Sequence, residues 1–477
     1  MAMVNSAEYR QRIMKMRPNV YIDGELVGRD DPRLEQGINV MSQTFDVAHE
    51  PEYEGVMTAT SHLTGEKINR FTHIHQSVED LLNKQKMTRL YCQKLGGCVQ
   101  RCMGIDATNA LSVVTYEADQ KYGTEYNKRF LKWLANFQKN DLAGNCAQTD
   151  VKGDRSKRPH QQADPDLYLR VVEKKSDGII VRGAKAHNTN APYVDEIVAI
   201  PTRFLTPEEG DWAVAFAIPS DWEGVHLSCR AAAPRARKRL DSPGSHYGDV
   251  ESLTIFDDVF VPWERVFLCG EHEFGGQLAL LFALYHRHSY TGCKPAVTDI
   301  MMGATALAAE YNGVPNAQHV KGKLAELISV AELVYAAGIA AGVTGQKAPS
   351  GTYVPDVIYC NVGRRHAGLN IYHEHETVAD VGGGLIATLP TEGDFYNEVT
   401  GPLLSKYIMR NPNVSAENQH RLFRTLGDMV CSSMSGISQI AGIHGGGSPV
   451  MEEIAILGSY DIEAKKALVK YLAGIKD

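Results

Sequence analysis

The sequence has no unbroken apolar run of about 18 residues, so it offers no obvious membrane-spanning helix. It has no excess of positive charge: 49 Lys and Arg stand against 57 Asp and Glu, a net charge of −8, which argues against a general nucleic-acid binder. Met1 to Arg17 alternates polar and apolar residues without a continuous apolar core, unlike a secretory leader. Cysteine is too sparse for a disulfide framework. Nine cysteines among 477 residues, with no leader, point to a reducing, cytoplasmic setting. Internal repeats and low-complexity tracts are also missing. What remains is an ordinary globular composition, 43% hydrophobic and 22% charged, in a chain long enough for two or three domains.

The periodicity changes twice along the chain. Residues 1–145 read mostly as helix: Ser77 followed by Glu79 and Asp80 is a helix start, and apolar residues recur at three and four from Met87 to Tyr122, interrupted at Gly96-Gly97. Residues 146–275 read as strand. Two β-branched runs flank Asp177-Gly178, a hairpin signal, and Glu196–Pro201, Trp212–Pro219 and Ser252–Val261 continue the pattern. From 276 to 477 the helical period returns, rich in Ala, Gly and Met. Small residues there allow close helix packing, including across a subunit boundary. The order is helical, β, helical.

Chemistry concentrates in Tyr285-His286-Arg287-His288-Ser289-Tyr290-Thr291-Gly292-Cys293-Lys294. Far upstream lie Cys98 and Cys102, four apart and on one face if both are helical. Three thiols and the His286 imidazole make a candidate metal site for zinc or an iron–sulfur cluster. On one unbroken helix the Cα atoms of His286 and Cys293 would be about 10.5 Å apart. A shared site therefore predicts a break or distortion near Thr291-Gly292, where glycine permits it.

Cys98-x₃-Cys102 and the 285–294 stretch resemble the 4-hydroxybutyryl-CoA dehydratase family, relatives of the flavin-dependent 4-hydroxyphenylacetate hydroxylases. The likeness extends to Asn69-Arg70-Phe71-Thr72, Thr149-Asp150-x-Lys152-Gly153-Asp154-Arg155, Arg182-Gly183-Ala184-Lys185-Ala186-His187, Phe256-Asp257-x-Val259-Phe260 and His444-Gly445-x-Gly447-Ser448-Pro449. It implies an α+β, acyl-CoA dehydrogenase-like fold with an N-terminal helical domain, a barrel-like middle β domain and a C-terminal helical bundle. It implies FAD, contacted by Gln148, Thr149, Asp150, Asp154, Arg155, His187 and Thr189. Asp380, Gly383 and Gly384 would serve a neighbouring subunit's flavin in a homotetramer of paired dimers. It implies a [4Fe-4S] cluster on Cys98, Cys102, His286 and Cys293. The implied reaction is radical dehydration of 4-hydroxybutyryl-CoA to crotonyl-CoA, with isomerisation of vinylacetyl-CoA. The thioester does not acidify the C3 proton, and one-electron oxidation of the substrate does so. His286 is the implied base, with Glu251, Tyr290 and Lys294 as further catalytic groups.

The family pattern places a glutamate three residues before His444, where this chain has Ala441; His288 and Thr291 are also unusual within the core motif. These departures leave room for a related hydroxyacyl-CoA. Lys152, Arg155, Lys157 and Arg158, and Arg230, Arg235, Arg237, Lys238 and Arg239, are candidates for the CoA phosphates or plain solvated surface. Two other readings are a flavin-dependent monooxygenase acting on a phenol, which leaves the three cysteines unexplained, and a zinc-stabilised helical scaffold.

Overall fold

The chain is described by a computed structural model covering residues 3–231 and 237–475, so Arg235 lies outside the described residues. Helices α1 (Val78–Leu95), α2 (Cys102–Tyr122) and α3 (Tyr126–Lys139) form the first helical layer. Ser77 caps α1 by accepting from the Asp80 amide, with Glu79 and Asp80 in the first turn. Gly96 ends α1 in the left-handed region, φ 73°, where a Cβ would be strained.

Ten strands make two open sheets. They are β1 (Val20–Ile22), β2 (Glu25–Val27), β3 (Gly144–Ala147), β4 (Arg170–Lys174), β5 (Gly178–Thr189), β6 (Glu196–Ala199), β7 (Val214–Pro219), β8 (Val225–Arg230), β9 (Glu251–Pro262) and β10 (Val266–Cys269). The six-stranded sheet runs β2-β1-β8-β9-β5-β4 and the four-stranded sheet β10-β7-β6-β3. Both strand orders are open, so the expected barrel-like closure is not seen among the described residues. Two of the strands come from residues 20–27, inside the stretch read as helical; β1 pairs parallel with β8. Three-residue strands are too short to show a period of two. The Asp177-Gly178 hairpin is present, joining β4 and β5. One continuous core runs from Tyr9 and Phe45 through Phe130, Ile197 and Phe216 to Tyr285, joining the first helices to both sheets.

The C-terminal part is built on α4 (His272–Tyr311), α5 (Gln318–Val343), α6 (Val357–Gly382), α7 (Ala416–Val430), α8 (Ser433–His444), α9 (Pro449–Ser459) and α10 (Ile462–Ala473). Ser448 and Pro449 start α9 as expected from the sequence, although the serine side chain makes no capping bond. Helix α4 packs against α1, α2, α5 and α6. Helix α5 has the length and hydropathy of a membrane span, yet it lies in the bundle against α4 and α6.

The break expected near Thr291-Gly292 does not occur, because α4 is continuous over 40 residues; His286 and Cys293 therefore stay two turns apart, which counts against one compact centre held by both. The one irregularity of α4 is chemical. Pro295 has no N–H, which leaves the Thr291 carbonyl without its partner in the next turn. The Gln85 amide of α1 donates to that carbonyl at 3.2 Å, which keeps the helix intact. Gly292 serves packing rather than bending: a Cβ there would lie 2.0 Å from Thr88 Oγ1 and 2.4 Å from the Gln85 carbonyl. Gly338 of α5 is equally tight, 2.0 Å from Thr291 Oγ1. Gly292→Ala should therefore lower stability by about 1–3 kcal/mol through overpacking, read as a fall in melting temperature. An unchanged value would refute this account of the contact.

Candidate active site

The loop between α1 and α2 carries Cys98, and Cys102 is the first residue of α2. The two cysteines do not share a helical face as expected, because Gly96-Gly97 ends α1 and Gln100 takes a left-handed φ of 62°. Gln100 is held there by its neighbours. Its side chain donates to the Gly248 carbonyl at 2.9 Å and accepts from the Tyr193 hydroxyl at 2.8 Å. The loop presents the Cys98 sulfur beside that of Cys102, and their hydrogen bond lowers the Cys98 pKa while raising that of Cys102.

Cys98, Cys102, His286 and Cys293 all line one cavity of about 260 Å³, together with Thr189, Tyr290, Lys294, His375 and Ala441. His286 and Cys293 reach it from one face of α4, two turns apart. Among metal-ligating atoms the tightest group is Cys102, Asp106 and His286, all within 4.8 Å of one another. Asp106 is fully buried and already engaged. It pairs with Lys84 at 2.5 Å, accepts from Ser289 at 3.0 Å and lies 3.0 Å from His286 Nδ1. Burial would raise its pKa, but Lys84 and His286 keep it below the ordinary carboxylate value. Nδ1 of His286 thus donates to Asp106 and Nε2 is left out of that bond, the arrangement typical of a metal-bound imidazole oriented by a carboxylate. Phe282 stacks on the same ring at 5.6 Å. Three sulfurs and an oriented imidazole in one cavity have the donor chemistry of an iron–sulfur or zinc site. Burial, and next the neighbouring Cys293, raise the pKa of the Cys92 thiol.

Tyr290 donates to the Gly442 carbonyl at 2.8 Å, under the Arg364 guanidinium at 4.2 Å from its ring. Arg364 also donates to the carbonyls of Ile443 and Gly445, and Arg287 to that of Gly446. These two arginines fix the His444–Pro449 loop, where φ is 81° at Gly446 and 113° at Gly447. Lys294 is paired with the fully buried Glu374, which also accepts from Thr298 at 3.1 Å; burial lowers the lysine pKa and Glu374 opposes it.

Glu251 opens β9 opposite Thr189 of β5. Its Oε1 accepts from Thr189 Oγ1 at 2.7 Å, and its Oε2 is buried without a partner. It sits behind Thr189, which forms the cavity wall. Burial, more than the nearby Asp249 charge, pushes its pKa up from 4.5 to about 7, against the Thr189 bond.

The expected flavin residues fall into two groups. Gln148, Thr149, Asp150, Asp154 and Arg155 follow β3. Gln148 donates to the Ala279 carbonyl at 3.2 Å. Asp150 is a buried partner of Lys185 at 2.8 Å and so shapes the loop from within. At His187, where φ is 55°, partial burial of the ring lowers the pKa, and the charges of Lys152, His444 and Arg155 add to this. Asp380, 3.4 Å from Lys323, and Gly383, at φ 71°, lie where α6 ends. Gly384 follows and is exposed. Four of the eight described basic candidates pair with carboxylates: Arg158 with Glu209, Lys157 with Asp154, Arg230 with Asp249 and Arg237 with Asp428.

Sequence reasoning missed Lys84, Asp106, Arg364, Glu374 and His375. Each is one polar residue inside a helix, and no spacing marks it. Asp106 one turn after Cys102 was the one available signal.

Residues 5–268 match the 4-hydroxyphenylacetate 3-hydroxylase N-terminal family model, and residues 276–474 its C-terminal counterpart. The chain belongs to this family of flavoprotein-related enzymes. Within it, the chain is 40% identical to the 4-hydroxybutyryl-CoA dehydratase/vinylacetyl-CoA-Delta-isomerase of Clostridium aminobutyricum, over 99% of this chain and 100% of that one. The solved structure of an oxygen-tolerant archaeal 4-hydroxybutyryl-CoA dehydratase from N. maritimus superposes with a TM-score of 0.96, at 38% identity, over 100% of this chain and 96% of that one. The 4-hydroxyphenylacetate 3-monooxygenase oxygenase component of Thermus thermophilus is 30% identical, over 97% and 96% of the two chains. A solved oxygenase component of that type, complexed with FAD, gives a TM-score of 0.88 at 27% identity, over 98% of each chain.

Two outcomes follow from this geometry. Asp106→Asn leaves the Lys84 ammonium buried without its counter-charge and should cost about 3–5 kcal/mol, measured by chemical denaturation. Glu251 holds its proton more tightly when folded, near pH 7, than when unfolded, near 4.5. Its contribution to stability therefore falls as pH rises through that window. Glu251→Gln should flatten the decline in melting temperature between pH 5 and 8, and an unaltered slope would contradict the assignment.

Proposed function

We propose that the protein is a flavin- and iron–sulfur-dependent dehydratase of 4-hydroxybutyryl-CoA, or of a closely related hydroxyacyl-CoA, with vinylacetyl-CoA isomerase activity. The observation that carries this reading is the single cavity shared by Cys98, Cys102, His286 and Cys293 with Tyr290 and Lys294. A phenol-hydroxylating relative has no need of three thiols and an imidazole around its substrate. In this reading the four residues hold a [4Fe-4S] cluster. FAD lies along Gln148 to Arg155 and His187 to Thr189, and the Asp380–Gly384 segment serves a neighbouring subunit. Bound, the two groups would supply reversible one-electron oxidation of the substrate and a Lewis-acidic iron for its hydroxyl.

The chain's own residues move the protons. With Nδ1 held by Asp106, Nε2 is the one nitrogen of His286 left both to bind iron and to take the proton from C2, so it would act as the base only once released from iron. Asp106 then faces an imidazolium and stabilises it by charge. Lys294 lines the cavity directly, and Glu251 stands behind the Thr189 hydroxyl that forms its wall; these are the groups that would deliver a proton as the hydroxyl departs. Exposed apolar side chains on α5 (Ile328, Leu333, Val343) and α10 (Leu468, Tyr471, Leu472) are consistent with self-association, for which a homotetramer is the proposed form.

Protein purified without oxygen should contain about four irons and four sulfides per chain and convert 4-hydroxybutyryl-CoA to crotonyl-CoA. Cys98→Ser should lose most of the iron. Flavin with no iron, and oxidation of a phenol in the presence of reduced flavin and oxygen, would establish the monooxygenase reading instead.

A further inference from the structure

Oδ1 of Asp249 and Oε2 of Glu251 are buried carboxylate oxygens without a hydrogen-bond partner, on residues two positions apart where β9 begins. At that spacing on an extended chain the side chains share a face. The other oxygen of each residue is engaged. Oε1 of Glu251 accepts from Thr189 Oγ1 at 2.7 Å, and Oδ2 of Asp249 faces the Arg230 guanidinium at 3.4 Å. Arg230 is also the residue opposite Glu251 in the register of β8 with β9. Neither orphaned oxygen is open to the cavity, so the partner each lacks lies within the protein.

Ionised carboxylates carry acceptors and no donor. Two of them side by side and away from water repel, and one then keeps its proton. A single proton on Oε2 gives both orphaned oxygens a partner, Oε2 as donor and Oδ1 as acceptor, and leaves no buried oxygen of the two residues unpaired. Arg230 supplies the counter-charge for an ionised Asp249, which places the proton on Glu251. Burial is the largest cause that raises the Glu251 pKa, and the charge of Asp249 and a hydrogen bond with it add to the rise. The other titratable groups that feel the pair are the Cys229 thiol and the Tyr193 phenol, both kept neutral by burial, and Cys98 of the same cavity.

We propose that Asp249 holds Glu251 in its protonated form: Oε2 of Glu251 donates to Oδ1 of Asp249, whose Oδ2 faces Arg230, so that one proton serves both carboxyls. Asp249 is thus a positioning residue that keeps a proton on the acid behind the Thr189 hydroxyl. Only the use made of that proton rests on the dehydratase reading.

The test reads the carboxyl directly, by infrared difference spectra of the holoenzyme, prepared without oxygen, as pH is raised from 5 to 9. The carbonyl band of a protonated carboxyl should disappear with a midpoint near pH 7, and its loss in Glu251→Gln assigns it. Asp249→Asn keeps the shape, removes the charge and can donate to an ionised Glu251, so the midpoint should fall by about one pH unit. Arg230→Gln removes the opposing cation and should raise the midpoint. The alkaline limb of the pH profile for dehydration of 4-hydroxybutyryl-CoA should move down with Asp249→Asn by the same amount, which a purely structural role of Asp249 would not produce. Flavin and iron contents equal to those of the unaltered protein show that the site is assembled. A midpoint unmoved in both variants overturns the shared proton. A midpoint that moves while the pH profile of dehydration stays fixed upholds the shared proton and overturns the acid role of Glu251. Absence of dehydration in the unaltered protein overturns the dehydratase reading, and the infrared midpoints still decide the shared proton.

Discussion

A single buried carboxylate holds the centre of this molecule together. Asp106 has no contact with solvent, and it gathers Lys84 from α1, and Ser289 and His286 from α4, onto α2. Two opposite charges taken out of water repay their desolvation only when geometry and further hydrogen bonds are good. Here the same carboxylate that neutralises Lys84 fixes the ring of His286. The arrangement thus ties the relative placement of three helices to the tautomer of one imidazole. Stability and site chemistry are in this case one network.

Around that pair the helices approach more closely than ordinary side chains allow. Gly292, Gly338 and Gly363 let α1, α4, α5 and α6 meet around Thr291, and a methyl group on any of the three would collide with a neighbour. Close-packed interiors transmit such displacements instead of absorbing them. The sulfurs and the imidazole therefore sit on a frame with little slack, as a site with defined ligand positions requires.

Much of this was legible in the sequence. The change from helical to strand period and back, the Asp177-Gly178 hairpin and the Ser77 cap are local signals, and the structure contains each. The clustering of Cys98, Cys102, His286 and Cys293 was legible as a combination of residue types, and the structure brings all four to one cavity. What was misread depended on tertiary context. Gly292 was read as a hinge because glycine permits one, whereas it is a point of helix contact. Cys98 and Cys102 were placed on one helix, but Gly96 and Gln100 turn the chain between them. Pro295 and Gln85 are 210 positions apart, and no periodicity links a missing N–H to the amide that compensates for it. The buried partners Lys84, Asp106 and Glu374 look like surface charges in a one-dimensional reading.

The size of the cavity has a consequence of its own. About 260 Å³ is below the roughly 300–1,000 Å³ that enclose a drug-sized ligand. In the proposed reading the same space also holds the centre bound by Cys98, Cys102, His286 and Cys293, which leaves room for a short acyl chain at most. A coenzyme thioester would have to leave its adenosine and most of its pantetheine arm outside the wall, as a key leaves its bow outside the lock. Discrimination among acyl groups and grip on the carrier would then be separate tasks, performed by different surfaces and open to change one without the other.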